Sequence, residues 1–264
     1  MKVRKQKMYQ IDAFSGTVFG GNPAAVCVLE DWWPDELMQS VASENNLSET
    51  AFVVQREKDF EIRWFTPMNE EALCGHATLA SAHVIFNYYE YTEDTISFYS
   101  RHSGNLSVTK DKDLLTLDFP ADNITEVEPP KEIVDAFDKS PLEIYKGRMD
   151  YLLLYETQED IEQSKPNLHI LKNVDARGVI ITAVGKEVDF VSRFFAPGCG
   201  VEEDPVTGSA HTTLTPFWSK KLGKTKLTAQ QLSQRKGALT CELIGDRVKI
   251  SGKAVTYFIG DIYI

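Results

Sequence analysis

Two stretches of this chain could each bind a small anion through the start of a helix. The first runs from Arg63 to Thr78 and the second from Arg193 to His211. Each contains Phe-x-Pro and then small residues, and Phe65 of the first copy corresponds to Phe195 of the second, close to half the chain length further on. Free backbone N–H groups at a helix N-terminus bind carboxylate or phosphate without a cationic side chain. The repeat therefore predicts two such helix starts facing each other across a cleft.

Small residues dominate both predicted helix starts. Gly75 and His76 precede the first helix, and Gly208 and Ser209 precede the second. Glycine and alanine, the latter at Ala77 and Ala210, leave the backbone N–H groups open to a ligand. The alternative is that these residues only allow the two helices to pack closely in the core. Two copies at matching positions favour a binding site.

Two carboxylates near these stretches are candidate acid/base groups. Glu49 stands just before the apolar strand Ala51–Val54. Burial beside such a strand makes a carboxyl group a better general acid or base near neutral pH. Asp204 stands in a Glu-Glu-Asp-Pro run. Each has a simpler interpretation, as an ordinary surface glutamate and as an acidic turn residue. The residues alone leave both interpretations open.

The histidine and cysteine positions argue against metal and covalent chemistry. His76 at a helix N-terminus should be disfavoured as a cation, which predicts a neutral ring. His211, inside the second helix, is interpreted as a packing residue. Cys74 lies two residues before His76, but no second Cys/His pair stands at zinc-ligand spacing. Such close neighbours also rarely align as a nucleophilic dyad. We therefore expect no metal and, because no P-loop or dinucleotide fingerprint occurs, no organic cofactor.

The composition is that of a globular protein and excludes several classes of partner. The chain of 264 residues is 42% hydrophobic and 25% charged, which is enough to bury a core. Its net charge of −11, without clusters of Lys and Arg, argues against binding nucleic acid. No apolar run reaches about 18 residues, so we expect no membrane span. The basic stretch at residues 1–7 is not followed by an apolar core, which predicts a cytoplasmic protein.

The pattern of elements predicts an α+β fold made of two similar halves. Apolar alternation indicates many short strands, and the longest helical patterns span 77–88 and 208–221. Residues 121–131 are interpreted as the connection between the halves. We expect the halves at 1–120 and 131–264. Each would be a curved, mostly antiparallel sheet wrapped around one central helix, with the active site between the halves.

Seven motifs carry a resemblance to a known family. In chain order they are Asp12-Ala-Phe, Gly21–Val26, Leu47–Val53, Arg63–Pro67, Leu73–Thr78, Arg193–Pro197 and Glu203–His211. In these residues the chain resembles the PhzF-like family, the phenazine biosynthesis isomerase-like group with the diaminopimelate epimerase-like fold. The motifs are specific for the family and not for any one substrate.

The resemblance implies a cofactor-independent isomerase that acts on a small carboxylate-bearing metabolite. In the family's phenazine enzyme, a proton moves between ring carbons of trans-2,3-dihydro-3-hydroxyanthranilate. By position in the motifs, Glu49 would be the acid/base, and His76 and Asp204 would assist it. The positions implied to hold the substrate carboxylate are Gly75 and Ser209, with Gly208 beside Ser209.

Two other functions remain open. Related epimerases and racemases use one cysteine from each half as opposed bases. Cys74 fills the first position, but the offset between the two copies places Asp204 opposite it, and Cys199 is out of register. This disfavours a two-thiol racemase. A non-catalytic metabolite-binding or scaffold protein is disfavoured because it would not need Glu49, His76 and Asp204 at a cleft.

The resemblance also implies a homodimer. Trp32, Trp33 and Trp218 could supply exposed apolar area for an interface between subunits. A role in the core is an equally good interpretation for each of the three.

Overall fold

The computed structural model describes residues 4–264, and residues 1–3 of the basic N-terminal stretch lie outside the described residues. The chain divides into two compact units. The first runs to Asp118 and also contains Ser251–Ile264, and the second is Phe119–Ile250. The halves expected from the sequence were 1–120 and 131–264. The units differ from them because the last strand belongs to the first unit.

Strands form most of the regular structure in residues 4–264. The strands are β1 (Lys5–Ala13), β2 (Asn22–Leu29), β3 (Glu49–Arg56), β4 (Asp59–Phe65), β5 (Glu70–Glu71), β6 (Thr95–Ser100), β7 (Gly104–Asp111), β8 (Leu114–Pro120), β9 (Thr125–Glu126), β10 (Glu143–Lys146), β11 (Asp150–Leu154), β12 (Gly178–Val184), β13 (Phe190–Ala196), β14 (Val201–Asp204), β15 (Lys226–Gln231), β16 (Gly237–Ile244), β17 (Arg247–Gly252) and β18 (Ala254–Tyr263). The α-helices are α1 (Asp35–Asn45), α2 (Gly75–Tyr88), α3 (Lys131–Ala136), α4 (Gln158–Gln163), α5 (Leu168–Leu171) and α6 (Gly208–Leu222). None of these helices is long and apolar enough to cross a membrane.

A mostly antiparallel sheet wraps around α2 in the first unit. Pairing runs through β18, β1, β2, β3, β4, β6, β7 and β8 in that order, with β2–β3 and β4–β6 parallel. The helix α2 packs against β1, β2, β3, β7 and β18. Its residues from His76 to Ala82 are all buried, since small side chains let the strands approach it closely. β18 pairs with β1 along its whole length, and this pairing places the C-terminal strand in the first unit.

The second unit repeats this connectivity around α6. There β11–β12 is parallel, β12–β13 antiparallel, β13–β15 parallel and β15–β16 antiparallel. The same series occurs in β2–β3, β3–β4, β4–β6 and β6–β7. The helix α6 packs against β11, β15 and β16, and His211 and Leu214 are among its buried residues. The expected α+β fold, with two similar halves that each wrap a sheet around one helix, is confirmed.

A repeated ion pair follows the same internal symmetry. In the first unit Arg63 donates from Nε to Glu70 at 2.8 Å and from Nη2 at 2.7 Å. In the second unit Arg193 donates from Nε to Glu203 at 2.7 Å and from Nη2 at 2.9 Å. The arginines occupy equivalent positions of the repeat, but each glutamate follows its arginine at a different interval. The loop that follows β13 in the second unit is therefore longer than the loop that follows β4 in the first. For this reason the sequence repeat alone does not show that Glu70 and Glu203 are equivalent.

The three tryptophans considered for a subunit interface are mostly internal. Trp33 is 6% exposed and Trp218 is 4% exposed. Trp218 stacks on Phe190 with ring centroids 5.8 Å apart. Trp32 is only partly buried, and its Nε1 donates to Glu61 at 2.7 Å. Trp33 and Trp218 therefore stabilise the cores of their own units and do not supply exposed apolar area.

Candidate active site

Four polar side chains converge at the N-terminus of α2. His76 Nε2 lies 3.0 Å from Glu49 Oε2, and His76 Nδ1 lies 3.5 Å from Cys74 Sγ. Asn22 Nδ2 lies 3.1 Å from the same Nδ1. Asn22 and Glu49 are the first residues of β2 and β3, which run parallel, so both stand at the same edge of the sheet. The start of α2 adds the other two residues at that edge.

The contact between Glu49 and His76 is close and buried. The side chain of Glu49 is 16% exposed and that of His76 is 5% exposed. Although Oε2 and Nε2 are 3.0 Å apart, they do not meet with the directionality of a hydrogen bond, and each is buried without another partner. Buried polar atoms of this kind are rare, because leaving them unpaired costs free energy. Both atoms therefore keep hydrogen-bonding capacity for a bound molecule.

Charge at this site favours a protonated His76. Burial is the largest influence on the pKa of His76 and lowers it, but the electrostatic and hydrogen-bonding contacts with Cys74 and Glu49 outweigh burial and hold the pKa well above its ordinary value. Burial, followed by the negative charge of Glu49, raises the pKa of the Cys74 thiol to about 11. A thiol with that pKa is uncharged at neutral pH, and Glu49 is the carboxyl group in contact with His76. From its place at a helix N-terminus, His76 was predicted to be neutral. That prediction is wrong, because a carboxylate in contact acts more strongly than the partial charge of a helix end.

One set of side chains in the first unit has the chemistry of zinc ligands. A carboxylate oxygen of Glu49, Cys74 Sγ and a nitrogen of His76 all lie within 4.8 Å of one another. However, His76 presents Nδ1 to Cys74 and Nε2 to Glu49. The ring nitrogen nearest to Cys74 is therefore not the one nearest to Glu49. The geometry is that of a chain of contacts, which suits proton transfer better than metal binding.

In the second unit, Asp204 is held just before α6. Thr207 Oγ1 donates to Asp204 Oδ2 at 2.5 Å. Gln231 is fully buried, and its Nε2 donates to the backbone oxygen of Asp204 at 2.7 Å while its Oε1 accepts from the backbone N–H of Thr207 at 2.8 Å. No motif in the sequence marked Thr207 or Gln231 for this role. Together they fix the acid relative to the start of the helix.

A cationic side chain lies at the start of α6, where the sequence argument required none. Arg177 Nη1 donates to Ser209 Oγ at 2.9 Å. The same guanidinium is held by Asp150, with Nε donating to Oδ1 at 2.9 Å and Nη2 donating to Oδ2. The side chain of Asp150 is 4% exposed and that of Arg177 is 26% exposed. The Ser209 hydroxyl therefore accepts one hydrogen bond within the protein and keeps its own hydrogen to donate to a ligand.

The predicted site residues thus form two groups, one in each unit. Glu49, His76 and Gly75, the first residue of α2, lie together in the first unit. In the second unit Asp204 ends β14, and Gly208 and Ser209 are the first two residues of α6. Sequence reasoning missed the residues that orient these groups: Asn22, Arg177, Thr207 and Gln231.

The whole chain is similar to known proteins. A family model described as phenazine biosynthesis-like protein (PhzC-PhzF) matches residues 11–260. An uncharacterized isomerase of Pseudomonas aeruginosa is 49% identical over 256 residues, which cover 97% of this chain and 98% of that relative. A crystal structure of a PhzF-family phenazine biosynthesis protein from Enterococcus faecalis has a TM-score of 0.96 at 46% identity, covering 99% of this chain and 100% of that chain. A hydroxyproline epimerase from Agrobacterium vitis, with a TM-score of 0.63 at 11% identity over 100% of this chain and 92% of that chain, shares the fold alone.

Proposed function

This chain belongs to the phenazine biosynthesis-like (PhzC-PhzF) family, and from that premise we propose that it is an isomerase that moves a proton within a small carboxylate-bearing metabolite. The reaction needs no organic cofactor, because side chains alone remove and return the proton. The observation that carries the proposal is the buried contact of 3.0 Å between Glu49 and His76 at the start of α2. The name of the Pseudomonas aeruginosa relative, an isomerase, supports the same class.

Glu49 is the proposed acid/base. Its carboxylate takes a proton from one carbon of the substrate, and the electron pair left behind is delocalised toward the substrate carboxylate. The protonated Glu49 then returns the proton to a different carbon, so no atom is gained or lost. His76, charged beside Glu49, stabilises the negative charge that develops in this step. Asp204, oriented by Thr207, assists the proton transfer.

Backbone N–H groups at the helix starts are the proposed carboxylate ligands. Gly75 opens α2, and Gly208 and Ser209 open α6. Each offers an N–H group that the helix itself does not use. The Ser209 hydroxyl adds a donor, and Arg177 fixes the orientation of that hydroxyl. Charged hydrogen bonds of this kind give affinity for a small anion without a dedicated cation.

Epimerisation of a small amino acid is the alternative activity. It would use Cys74 as one of two bases, and the contact between Cys74 and His76 is the feature in its favour. Against it, burial and Glu49 raise the pKa of Cys74 to about 11, whereas a base must be ionised. A non-catalytic metabolite-binding or scaffold role is disfavoured by the buried acid/base pair.

We further propose that the chain works as a homodimer in the cytoplasm. Three neighbouring residues of β18 support an interface between copies: Tyr257 is 49% exposed, Phe258 is 44% exposed and Ile259 is 43% exposed. Adjacent exposed apolar side chains of this kind mark interaction surfaces. Sedimentation equilibrium at micromolar concentration should give the mass of two chains, and a clean monomer would contradict the homodimer.

Solvent deuterium provides the test of the activity. The protein would be incubated in D₂O with a panel of unsaturated hydroxy- and amino-carboxylates, and the products analysed by mass spectrometry and NMR. We expect one compound to return as an isomer carrying deuterium at a new carbon, because the proton on Glu49 exchanges with solvent. Deuterium at a stereocentre with loss of optical activity and no movement of a double bond would instead indicate the epimerase.

A further inference from the structure

A buried amide faces the imidazole of the acid/base pair from the side opposite to Glu49. Asn22 is fully buried, and its Nδ2 lies 3.1 Å from Nδ1 of His76. The other ring nitrogen, Nε2, lies 3.0 Å from Oε2 of Glu49. The two nitrogens of the ring therefore have chemically different partners, one an amide donor and the other a carboxylate acceptor.

An amide nitrogen donates hydrogen bonds and does not accept them. A ring nitrogen that faces it must accept, and a neutral imidazole whose Nδ1 accepts carries its hydrogen on Nε2. We propose that Asn22 is a positioning residue that fixes the neutral tautomer of His76 with the proton on Nε2, facing Glu49. The catalytic use of that proton rests on the proposed function, whereas the tautomer does not.

The backbone holds this amide in place. Asn22 is the first residue of β2 and pairs with Ala13 of β1. The preceding Gly21 has a φ of +65°, and a Cβ at that position would lie 2.1 Å from the carbonyl oxygen of Ala13. The turn into β2 therefore requires glycine, and it delivers the Asn22 side chain from a fixed strand end.

The Asn22 amide is also a closer partner of His76 Nδ1 than the Cys74 thiol is. Cys74 Sγ approaches Nδ1 at 3.5 Å, farther than the amide nitrogen, and a thiol is the weaker donor. In the neutral ring Asn22 donates to Nδ1, and Nε2 is the ring nitrogen that carries the proton facing Glu49. Glu49 favours a second proton on the ring, and the Asn22 donor opposes that proton at Nδ1. When the ring loses a proton, the one on Nδ1 leaves.

Histidine NMR tests this assignment in the full chain without any substrate. The protein would be labelled with ¹⁵N-histidine and followed by long-range ¹H–¹⁵N correlation spectra through a pH titration. The chain has five histidines, and loss of signals in His76→Gln identifies those of His76. At the alkaline end, where the ring is neutral, we expect Nε2 to be protonated and Nδ1 to be unprotonated.

Asn22→Asp keeps the shape of the side chain and removes the donor. We expect the proton of the neutral ring to move to Nδ1, and the titration midpoint of His76 to rise by about one to three pH units because of the added carboxylate. Asn87→Asp is the matched control, since Asn87 Nδ2 lies 3.4 Å from Nδ1 of His83. It should leave the His76 signals unchanged.

Two results would overturn the assignment. One is a wild-type ring whose neutral form is protonated at Nδ1, and this result is decisive even if Asn22→Asp does not fold. The other is an Asn22→Asp protein that keeps the wild-type tautomer. If Glu49→Gln proved fully active, the proposed function would fail while the tautomer assignment stood, so the two failures are distinguishable.

Discussion

Thr207 Oγ1 donates a hydrogen bond of 2.5 Å to Oδ2 of Asp204, so the residue at the N-cap position of α6 orients the acid that precedes the helix. The backbone N–H of Thr207 donates to the buried Gln231, and the Gln231 amide donates back to the backbone oxygen of Asp204. Asp204, Thr207 and Gln231 are thus joined in a ring of hydrogen bonds, and each residue limits the movement of the other two. The carboxylate of Asp204 is thereby fixed relative to the helix start that we propose to bind the substrate carboxylate.

Asp204→Asn should lower turnover while the fold stays intact. The amide keeps the size of the side chain and can still accept from Thr207, but it loses the negative charge that assists proton transfer. We expect a loss of turnover that is smaller than for Glu49→Gln and larger than for Ser209→Ala, measured by initial rates on the compound identified by deuterium exchange. The control is Glu202→Gln, an exposed neighbour. Equal rates for both variants would remove Asp204 from the mechanism.

Ser209→Ala should mainly weaken binding. It removes one hydroxyl contact and leaves the backbone N–H groups of α6 in place. A hydrogen bond to a charged group contributes about 1.5–3 kcal/mol, so the Kd of a bound carboxylate should rise by roughly 10- to 150-fold with little change in kcat. Isothermal titration calorimetry checks this, with Ser40→Ala on the exposed side of α1 as control. An unchanged Kd would show that the carboxylate does not bind at Ser209.

Cys74→Ala should retain turnover within a few-fold of the parent. Burial, with the charge of Glu49, raises the pKa of this thiol to about 11, so it carries little charge at neutral pH and cannot act as an efficient base. Initial rates on the same compound provide the measurement. A loss of several hundred-fold in a correctly folded variant would instead favour the epimerase mechanism, in which Cys74 removes the proton.

His211 should make the fold less stable in acid. Burial lowers the pKa of His211 to about 4, although its hydrogen bond to the Thr207 carbonyl opposes this. Between pH 6.5 and about 4 the unfolded chain binds a proton at this residue and the folded chain does not, so the free energy of unfolding decreases as pH falls through that window. Within this window His211 lowers the free energy of unfolding by up to about 1.4 kcal/mol for each pH unit.

Urea unfolding at several pH values measures this dependence. His211→Asn should reduce the slope of stability against pH in the window from 6.5 to about 4, because the variant no longer has a proton to gain there. The exposed His102→Asn serves as the control and should keep the wild-type slope. Identical slopes for His211→Asn and the wild type would show that His211 is not the residue responsible.

The sequence predicted the fold better than it predicted the surroundings of the site. The repeated Phe-x-Pro segments identified both central helices, although α2 begins at Gly75, two residues before the predicted start. Strand β15 is short and polar, with the sequence Lys-Leu-Thr-Ala-Gln-Gln at 226–231, so apolar alternation does not indicate it. Its buried Gln231 is also one of the residues that orient Asp204. A polar residue buried to satisfy other polar groups leaves no periodic signal in a sequence.

The contacts of the site depend on pairings between distant parts of the chain. Glu49 and His76 are separated by a hairpin and a loop, and they meet because β3 begins beside β2 at the edge where α2 starts. Asn22 and Arg177 reach their partners over 54 and 32 residues. Such contacts follow from sheet register, which alternation of apolar residues does not determine between distant strands.

The rate of proton transfer in Glu49→Gln is the most direct test of the proposed mechanism. Glutamine keeps the shape of the side chain and its hydrogen bonding but has no transferable proton. General acid/base catalysis contributes about 10²–10⁴-fold, so we predict that turnover and deuterium incorporation fall by at least about 10²-fold, while ligand affinity changes by no more than a few-fold. The exposed Glu44→Gln on α1 should behave as the parent. Turnover of Glu49→Gln within a few-fold of the parent would mean that Glu49 is a structural residue and that the proposed mechanism is wrong.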